Sequence, residues 1–393
     1  MSKSIELLIA ALLGALVQFF VPVNYWGTEF YKKRMRRKDL DAIARALRHS
    51  DSSFVVGDYE VPEMSVLPLL HGLHRDDMTC RFVPDAKRLP ETVEALKHTY
   101  LPEYEEEQRA RNRTIDYNDT YGLRGIRVRR PQSEADLWRD RRNTIECLFE
   151  PSNFKFNLIA NEALDKKLIV DQGKAVTVRE HLGLAGFDWA SLPEIPIHMW
   201  FSTVTGVRTS DDKFVVAIRS GLQLIGAESG LSDSVRASMS AAEGMLRPVD
   251  SLTLLPQELP SPFKTSERSI QKELGLVPGE HYMSSDLELI GMCFDTQRYQ
   301  PLGVFYIALP VPFSVVLEAW KVADDHHENS ALLPIGVGAN EFADLLQGKV
   351  RRNDLRVELF SNHQRVGVLL TACRVFGFRL MRDILKHRRV WTG

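Results

Sequence analysis

The alternation of apolar and polar positions changes character several times along the chain, and each change predicts an element. From Leu7 to Trp26 the residues are almost wholly apolar, interrupted only by Gln18, Pro22 and Asn24. As a helix this run reaches roughly 30 Å, the thickness of a bilayer's hydrocarbon core, and predicts one transmembrane crossing. Lys32, Lys33, Arg34, Arg36, Arg37 and Lys38 follow it, against only Lys3 and Glu6 in the leading tail. The positive-inside rule then places the C-terminal bulk in the cytoplasm, behind a single-pass anchor in the cell inner membrane. Trp26 and Tyr31 would sit at the interface, with the basic cluster against anionic membrane lipids. A cleavable signal peptide is the competing reading, but Val23-Asn24-Tyr25-Trp26 lacks the small residues of a cleavage site. A buried core helix is the third.

Beyond the anchor the pattern becomes that of a folded body. Leu40, Ile43, Ala44 and Leu47 give Asp39 to Arg48 a helical period. Phe54 to Val61 and Tyr121 to Val128 read as strands, and Pro102 to Arg111 as a solvated helix. Asp136 to Leu148, apolar at Leu137, Trp138, Ile145 and Leu148, reads as another helix. Ile195 to Val207 and Lys213 to Ile218 are rich in β-branched and aromatic residues and meet at Thr209-Ser210-Asp211-Asp212, which predicts a hairpin. Ser261-Pro262 supplies an N-cap and a first-turn proline, and Gly275 a left-handed stop, so a helix runs from about Pro262 to Leu274. Strands follow at Leu287 to Cys293 and Leu302 to Leu309, then a helix-like Pro312 to Val322. The run His363 to Leu385 carries Arg365, Arg374, Arg379, Arg382 and Asp383, too many charges for an easy second span. It predicts an amphipathic helix whose stripe, Val368, Leu369, Ala372, Phe376 and Leu380, packs on a sheet.

The helix over Pro262 to Leu274 ends in Arg268-Ser269-Ile270-Gln271-Lys272-Glu273-Leu274-Gly275-Leu276. Phe263, Ile270 and Leu274 share one stripe, while positions 269, 272 and 273 share another face by i, i+3, i+4 spacing. This stretch resembles the end of a Nudix box, Arg-Glu-apolar-x-Glu-Glu-x-Gly-apolar, with Ser269 and Lys272 where the family has carboxylates. The family's first box glycine has its nearest counterpart at Gly244, further upstream than the motif's spacing, which requires an insertion around Arg247 to Pro260. An amphipathic helix with a glycine stop is the plainer reading of the same residues. The resemblance covers about Ile195 to Val350. It implies an α+β fold containing a Nudix-like α/β/α sandwich with a mixed sheet, preceded here by the transmembrane helix and a separate α+β segment.

In the family, the glutamates of that face bind divalent cations that clamp a pyrophosphate and activate water. Here Glu273 is the one retained candidate for metal ligand and catalytic base, and magnesium is the cofactor the resemblance implies. With Lys272 opposite Glu273 in sign, the formal charges of the face cancel, which removes the main attraction for a divalent ion. Lys272 can instead face a phosphate as a point charge. Arg268, Ser269 and Lys272 are the candidate ligand contacts on the helix, and Arg219, at the end of a predicted strand, a fourth. Arg268 pairs with a box glutamate in the family, a role that Ser269 puts in doubt.

Composition changes the picture little. At 393 residues, 44% hydrophobic and 26% charged, the chain is long enough for two or three cores. A net charge of -2 does not suit a nucleic-acid partner. Cys80, Cys147, Cys293 and Cys373 are widely separated and read as reduced thiols. His71 and His74 lack a third ligand at a recognised spacing. Asp324-Asp325-His326-His327-Glu328 reads as a hydrated turn that is able to lend a late metal ligand, and Asp295 is a comparable candidate.

The predicted organisation is an anchor over 1–27, a basic juxtamembrane helix over 28–50, an α+β domain over 51–194, the Nudix-like domain over 195–350, and a C-terminal strand and helix over 351–393. Three functions stay open. The first is a sensor that binds a nucleoside-diphosphate-linked small molecule without metal. The second is a magnesium-dependent hydrolase of such a molecule, and the third an assembly protein using the fold for protein contacts. Self-association is compatible with each.

Overall fold

The computed structural model describes residues 53–110, 119–129, 144–153, 163–171, 173–184, 186–219, 234–239, 241–254 and 257–386. Its first part contains the hairpin β1 (Ser53–Val56) and β2 (Tyr59–Pro62), then β3 (Met64–Leu73), β4 (Met78–Phe82), helix α1 (Glu91–Ala110), β5 (Asp119–Arg129) and β6 (Thr144–Asn153). A small hairpin, β7 (Ile169–Asp171) and β8 (Lys174–Val176), leads to the one-turn helix α2 (Val178–His181). β4, β6 and β5 form a three-stranded sheet. α1 buries Val93, Leu96, Tyr100, Leu101 and Tyr104 in the same core as Ile145, Cys147 and Phe149 of β6.

The second part begins with the expected hairpin, β9 (Ser202–Arg208) and β10 (Lys213–Arg219), turning through Asp212 at φ 54°. It continues through β11 (Ser234–Met239), β12 (Ala241–Met245), β13 (Ser251–Leu254) and β14 (Gln257–Pro260) into helix α3 (Pro262–Leu274). β15 (Glu288–Asp295), β16 (Gln300–Ala308), α4 (Phe313–Trp320), β17 (Asn329–Gly336), α5 (Ala339–Leu346), β18 (Arg351–Arg352) and β19 (Leu355–Leu359) come next. Helices α6 (Asn362–Phe376) and α7 (Phe378–Lys386) close the described chain.

A ten-stranded mixed sheet organises this part, running β18-β19-β11-β10-β9-β16-β15-β3, with β12 on β9 and β17 on β10. The pairs β9 with β16 and β11 with β19 are parallel, and the others antiparallel. Strand residues alternate between two cores, as the period of two demands. Val215, Ala217, Phe305 and Ile307 join Phe263, Ile270 and Leu274 of α3, whereas Phe214, Val216, Val304 and Tyr306 join Val366, Val368, Leu369 and Leu370 of α6. Helices therefore cover both faces of the sheet, α3 on one and α6 on the other.

Several expectations are corrected. The chain is a mixed α/β structure with several sheets, and no helix among the described residues is long and apolar enough to cross a membrane. The longest of them, α1, has 20 residues but carries Glu91, Glu94, Lys97, Glu103 and Glu105 along its length. The segment expected to form the transmembrane helix, 7–26, lies outside the described residues, as do the lipid-facing cluster 32–38 and the helix expected over 39–48. Ile145 and Leu148 sit on strand β6 rather than on a helix, because Ile145, Cys147 and Phe149 alternate inward. α1 starts at Glu91 and passes through Pro102, which sequence pattern places at a helix start. The C-terminal helix is two helices, broken at Gly377 with φ 88°, and Leu380 is exposed rather than part of the buried stripe. β3, from the first part of the chain, is an edge strand of the ten-stranded sheet, paired with β15.

Candidate functional site

α3 forms where its signals lie. The Ser261 side chain accepts the Lys264 N–H, Pro262 opens the first turn, and Gly275 at φ 70° ends it by donating to the Gln271 carbonyl at 2.8 Å. A β-carbon at Gly275 would lie 2.2 Å from the Ala319 carbonyl oxygen of α4, so glycine is required both by the left-handed backbone and by the approach of the next helix. Phe263, Ile270 and Leu274 are fully buried on the sheet side, and the Ser266 and Thr205 hydroxyls are hydrogen-bonded at 2.6 Å, fixing the helix on β9.

Each residue picked out on this helix has a definite setting. Arg268 donates from Nε and Nη2 to the two oxygens of Asp250, at 2.7 and 2.9 Å. Asp250 is 2% exposed and also accepts the Thr265 hydroxyl at 3.0 Å and the Arg247 N–H at 2.9 Å. Ser269 is buried and donates to the Thr265 carbonyl of its own helix at 3.0 Å. Glu273 is buried one turn further along the same line, and Lys272 beside it is half-buried. Helical geometry thus keeps 269, 272 and 273 together, but the serine hydroxyl turns inward to the backbone.

Arg219 does not join them as a free cation. Its guanidinium pairs with Glu328 at 2.9 Å and lies over the Phe360 ring. That pairing also places the acidic loop. The Asp325 N–H donates to the Lys272 carbonyl at 2.9 Å, so the loop 324–328 is seated on the last turn of α3. Asp295 is on the other face. Its Oδ2 lies 2.9 Å from Nε2 of His363 at the start of α6, and its Oδ1 accepts the N–H groups of Gln297 and Arg298. Burial alone would raise the Asp295 carboxyl, but the hydrogen bond and charge of His363, with the Arg298 N–H, outweigh it and hold the group below its ordinary value. His71 lies within β3 and His74 just beyond it, so the pair does not share a helical face.

A magnesium ion needs several hard oxygen ligands. The face offers one carboxylate, Glu273, beside a serine whose proton is committed and a lysine cation. No group of three or more His, Cys, Asp or Glu side chains suited to a metal comes together among the described residues. The lysine cation beside the one carboxylate disfavours a divalent ion on this face.

Sequence reasoning missed Asp250, which fell within the insertion expected around Arg247 to Pro260, because its partner Arg268 lies on another element. It also missed Arg75, whose Nη2 donates to the buried Glu267 at 2.7 Å. A third cluster lies under the three-stranded sheet. The buried Glu150 on β6 accepts the Lys87 N–H at 3.3 Å and has Arg124 at 3.6 Å and His198 at 3.9 Å. The Lys87 ammonium donates to the carbonyls of Leu192 and Ile195. Burial raises the Glu150 carboxyl, with Lys87 and Arg124 opposing, and burial with the charges of Lys97 and Lys87 lowers the His198 imidazole to about 4. The four cysteines are free thiols.

No protein-family model matches this chain, and no curated protein is similar to it.

Proposed function

We propose that the part of the chain built around α3 is a Nudix-like ligand-binding domain, which recognises a nucleoside-diphosphate-linked molecule without hydrolysing it and acts as a sensor. The resemblance of Arg268 to Leu276 to the box motivates the reading, and a mixed sheet clad by helices on both faces is compatible with it. One observation carries the choice of binding over catalysis. Of the candidate contacts, Arg268 and Arg219 are neutralised by Asp250 and Glu328, Ser269 is satisfied within its helix, and Lys272 alone presents a half-buried charge that forms no ion pair with a described residue. A cation in that setting attracts a phosphate as a point charge. Glu273, the one carboxylate among the three box positions, is offset by that cation, which disfavours a divalent ion.

The test is thermal melting against a panel of dinucleotides and sugar nucleotides, with and without magnesium. A ligand at about a hundred times its Kd stabilises the folded state by about 2.7 kcal/mol. The expected result is such stabilisation without magnesium, lost in Lys272→Glu and retained in Glu273→Gln. Magnesium-dependent turnover that disappears in Glu273→Gln would establish the hydrolase instead. Neither response would leave a role in protein contacts.

A further inference from the structure

β4 and β6 run side by side and parallel, in a register that pairs Met78 with Ile145, Cys80 with Cys147 and Phe82 with Phe149. These side chains all belong to one core, so they project from the same face of the three-stranded sheet. Cys80 and Cys147 are therefore direct neighbours across the strand pair. Strand spacing puts such α-carbons about 4.7–4.9 Å apart, inside the range of about 4.4–6.8 Å that a disulfide spans. Both are free thiols, and the Cys147 thiol feels the charge of Cys80. Cys293 and Cys373 belong to the opposite core, where Cys293 faces Leu302 and Val66 in register.

β4 is an outer strand of its sheet, and the turn before it carries Arg75, whose bond to Glu267 ties this sheet to α3. Cys80 is half-buried and borders a cavity of about 360 Å³ between β4, β14 and the first turn of α3, whereas Cys147 is fully buried. One thiol is thus placed for a first encounter with a small reagent and the other for the step that follows. We propose that Cys80 and Cys147 form a reversible disulfide in the folded chain, a redox clamp that fastens β4 to β6. The Cys80 thiolate attacks one sulfur of a low-molecular-weight disulfide, whose S–S bond breaks and whose other half leaves as a thiolate and takes up a proton. The Cys147 thiolate then attacks the Cys80 sulfur of the mixed disulfide and expels the second half in the same way. The protein gives up two protons and two electrons, and the small disulfide accepts both to become two thiols. Burial pushes the Cys80 thiol up to about 12 and raises that of Cys147 as well. Few thiolates exist at neutral pH, so the exchange is slow there and accelerates roughly tenfold per pH unit.

Oxidised glutathione is the probe, added to the folded full chain at about pH 9 to enlarge the thiolate fraction. The four thiols open to alkylation after unfolding should fall to two. No glutathione mass should remain on the chain, and proteolysis without reductant should release a linked peptide pair that joins Cys80 to Cys147. Dithiothreitol should restore all four thiols. The bond closes the chain between positions 80 and 147, and should raise the melting temperature by roughly 5 °C or more. Cys147→Ser should abolish both the cross-link and the rise, and Cys373→Ser should retain both. The mapping on the wild-type chain stays decisive where Cys147→Ser does not fold. Four thiols surviving the oxidant, a lasting glutathione adduct on the wild-type chain, or a link through Cys293 or Cys373 would overturn the inference, and a cross-link without the rise would overturn the clamp.

Discussion

Asp250→Ala is the sharpest probe of what holds the candidate site together. The carboxylate is 2% exposed and accepts Arg268 Nε at 2.7 Å, Arg268 Nη2 at 2.9 Å, the Thr265 hydroxyl at 3.0 Å and the Arg247 N–H at 2.9 Å. Removing it takes this shared acceptor from all four donors, of which the Thr265 hydroxyl keeps the Ser261 carbonyl at 3.4 Å. Breaking a buried ion pair from one side costs about 3–5 kcal/mol. The Arg268 side chain is 21% exposed and recovers part of its hydration, which argues for the lower end, about 3 kcal/mol. At roughly 2 °C per kcal/mol for a large cooperative unit, the melting temperature falls by about 6 °C. Arg268→Ala should cost somewhat less, because Asp250 keeps the Thr265 and Arg247 donors. Urea unfolding of both single variants and the double variant measures the coupling, with a common m-value as the check that only stability has changed. The double variant should lose about 1.5–3 kcal/mol less than the sum of the singles, the scale of a bidentate charged hydrogen bond. Additivity within about 0.5 kcal/mol would refute the pairing. The same variants decide between two roles for Arg268. If it serves α3 and not a ligand, Arg268→Ala retains the affinity of any nucleotide found for the domain.

Two further outcomes follow from the geometry. Gly275→Ala adds about 1–2 kcal/mol for a left-handed alanine and about 1–3 kcal/mol for the overlap with the Ala319 carbonyl, so the variant should unfold at markedly lower urea with α4 displaced from α3. His198 has its imidazole lowered from 6.5 to about 4. Between those values the unfolded chain binds the proton that the folded chain refuses, so this histidine's contribution is complete above pH 6.5 and is lost as pH falls towards 4. His198→Gln should flatten the stability profile in that window, as followed by urea unfolding at a series of pH values.

The local grammar of the chain was legible wherever one segment carries its own signals. Ser261-Pro262 and Gly275 bracket α3, and the turn Thr209 to Asp212 fixes the β9–β10 hairpin, as read from the sequence. Signals that two elements share were ambiguous. Pro102 suits a helix start, yet the apolar spacing of Val93, Leu96 and Tyr100 carries α1 through from Glu91. Leu137, Trp138, Ile145 and Leu148 fit a helical period, while the inward alternation of Ile145, Cys147 and Phe149 decides for a strand. The site was half legible. Shared helical spacing placed Ser269, Lys272 and Glu273 together, but the counter-charges that neutralise Arg268 and Arg219 come from Asp250 and Glu328, on other elements. No periodicity reports a pairing between segments that meet only after the sheet is built.

The rims of the ten-stranded sheet come from opposite ends of the described chain, β3 at residues 64–73 and β18 with β19 at 351–359. A nascent chain leaving the ribosome therefore carries β3 with its hydrogen-bonding edge open until β15, at 288–295, has been made. Such long-range pairing is slow and exposes an unmatched strand to other chains in the interval. Production of a fragment beginning at residue 195 would exchange that transient hazard for a permanent one, since β15 would then present the raw border of the sheet to solvent.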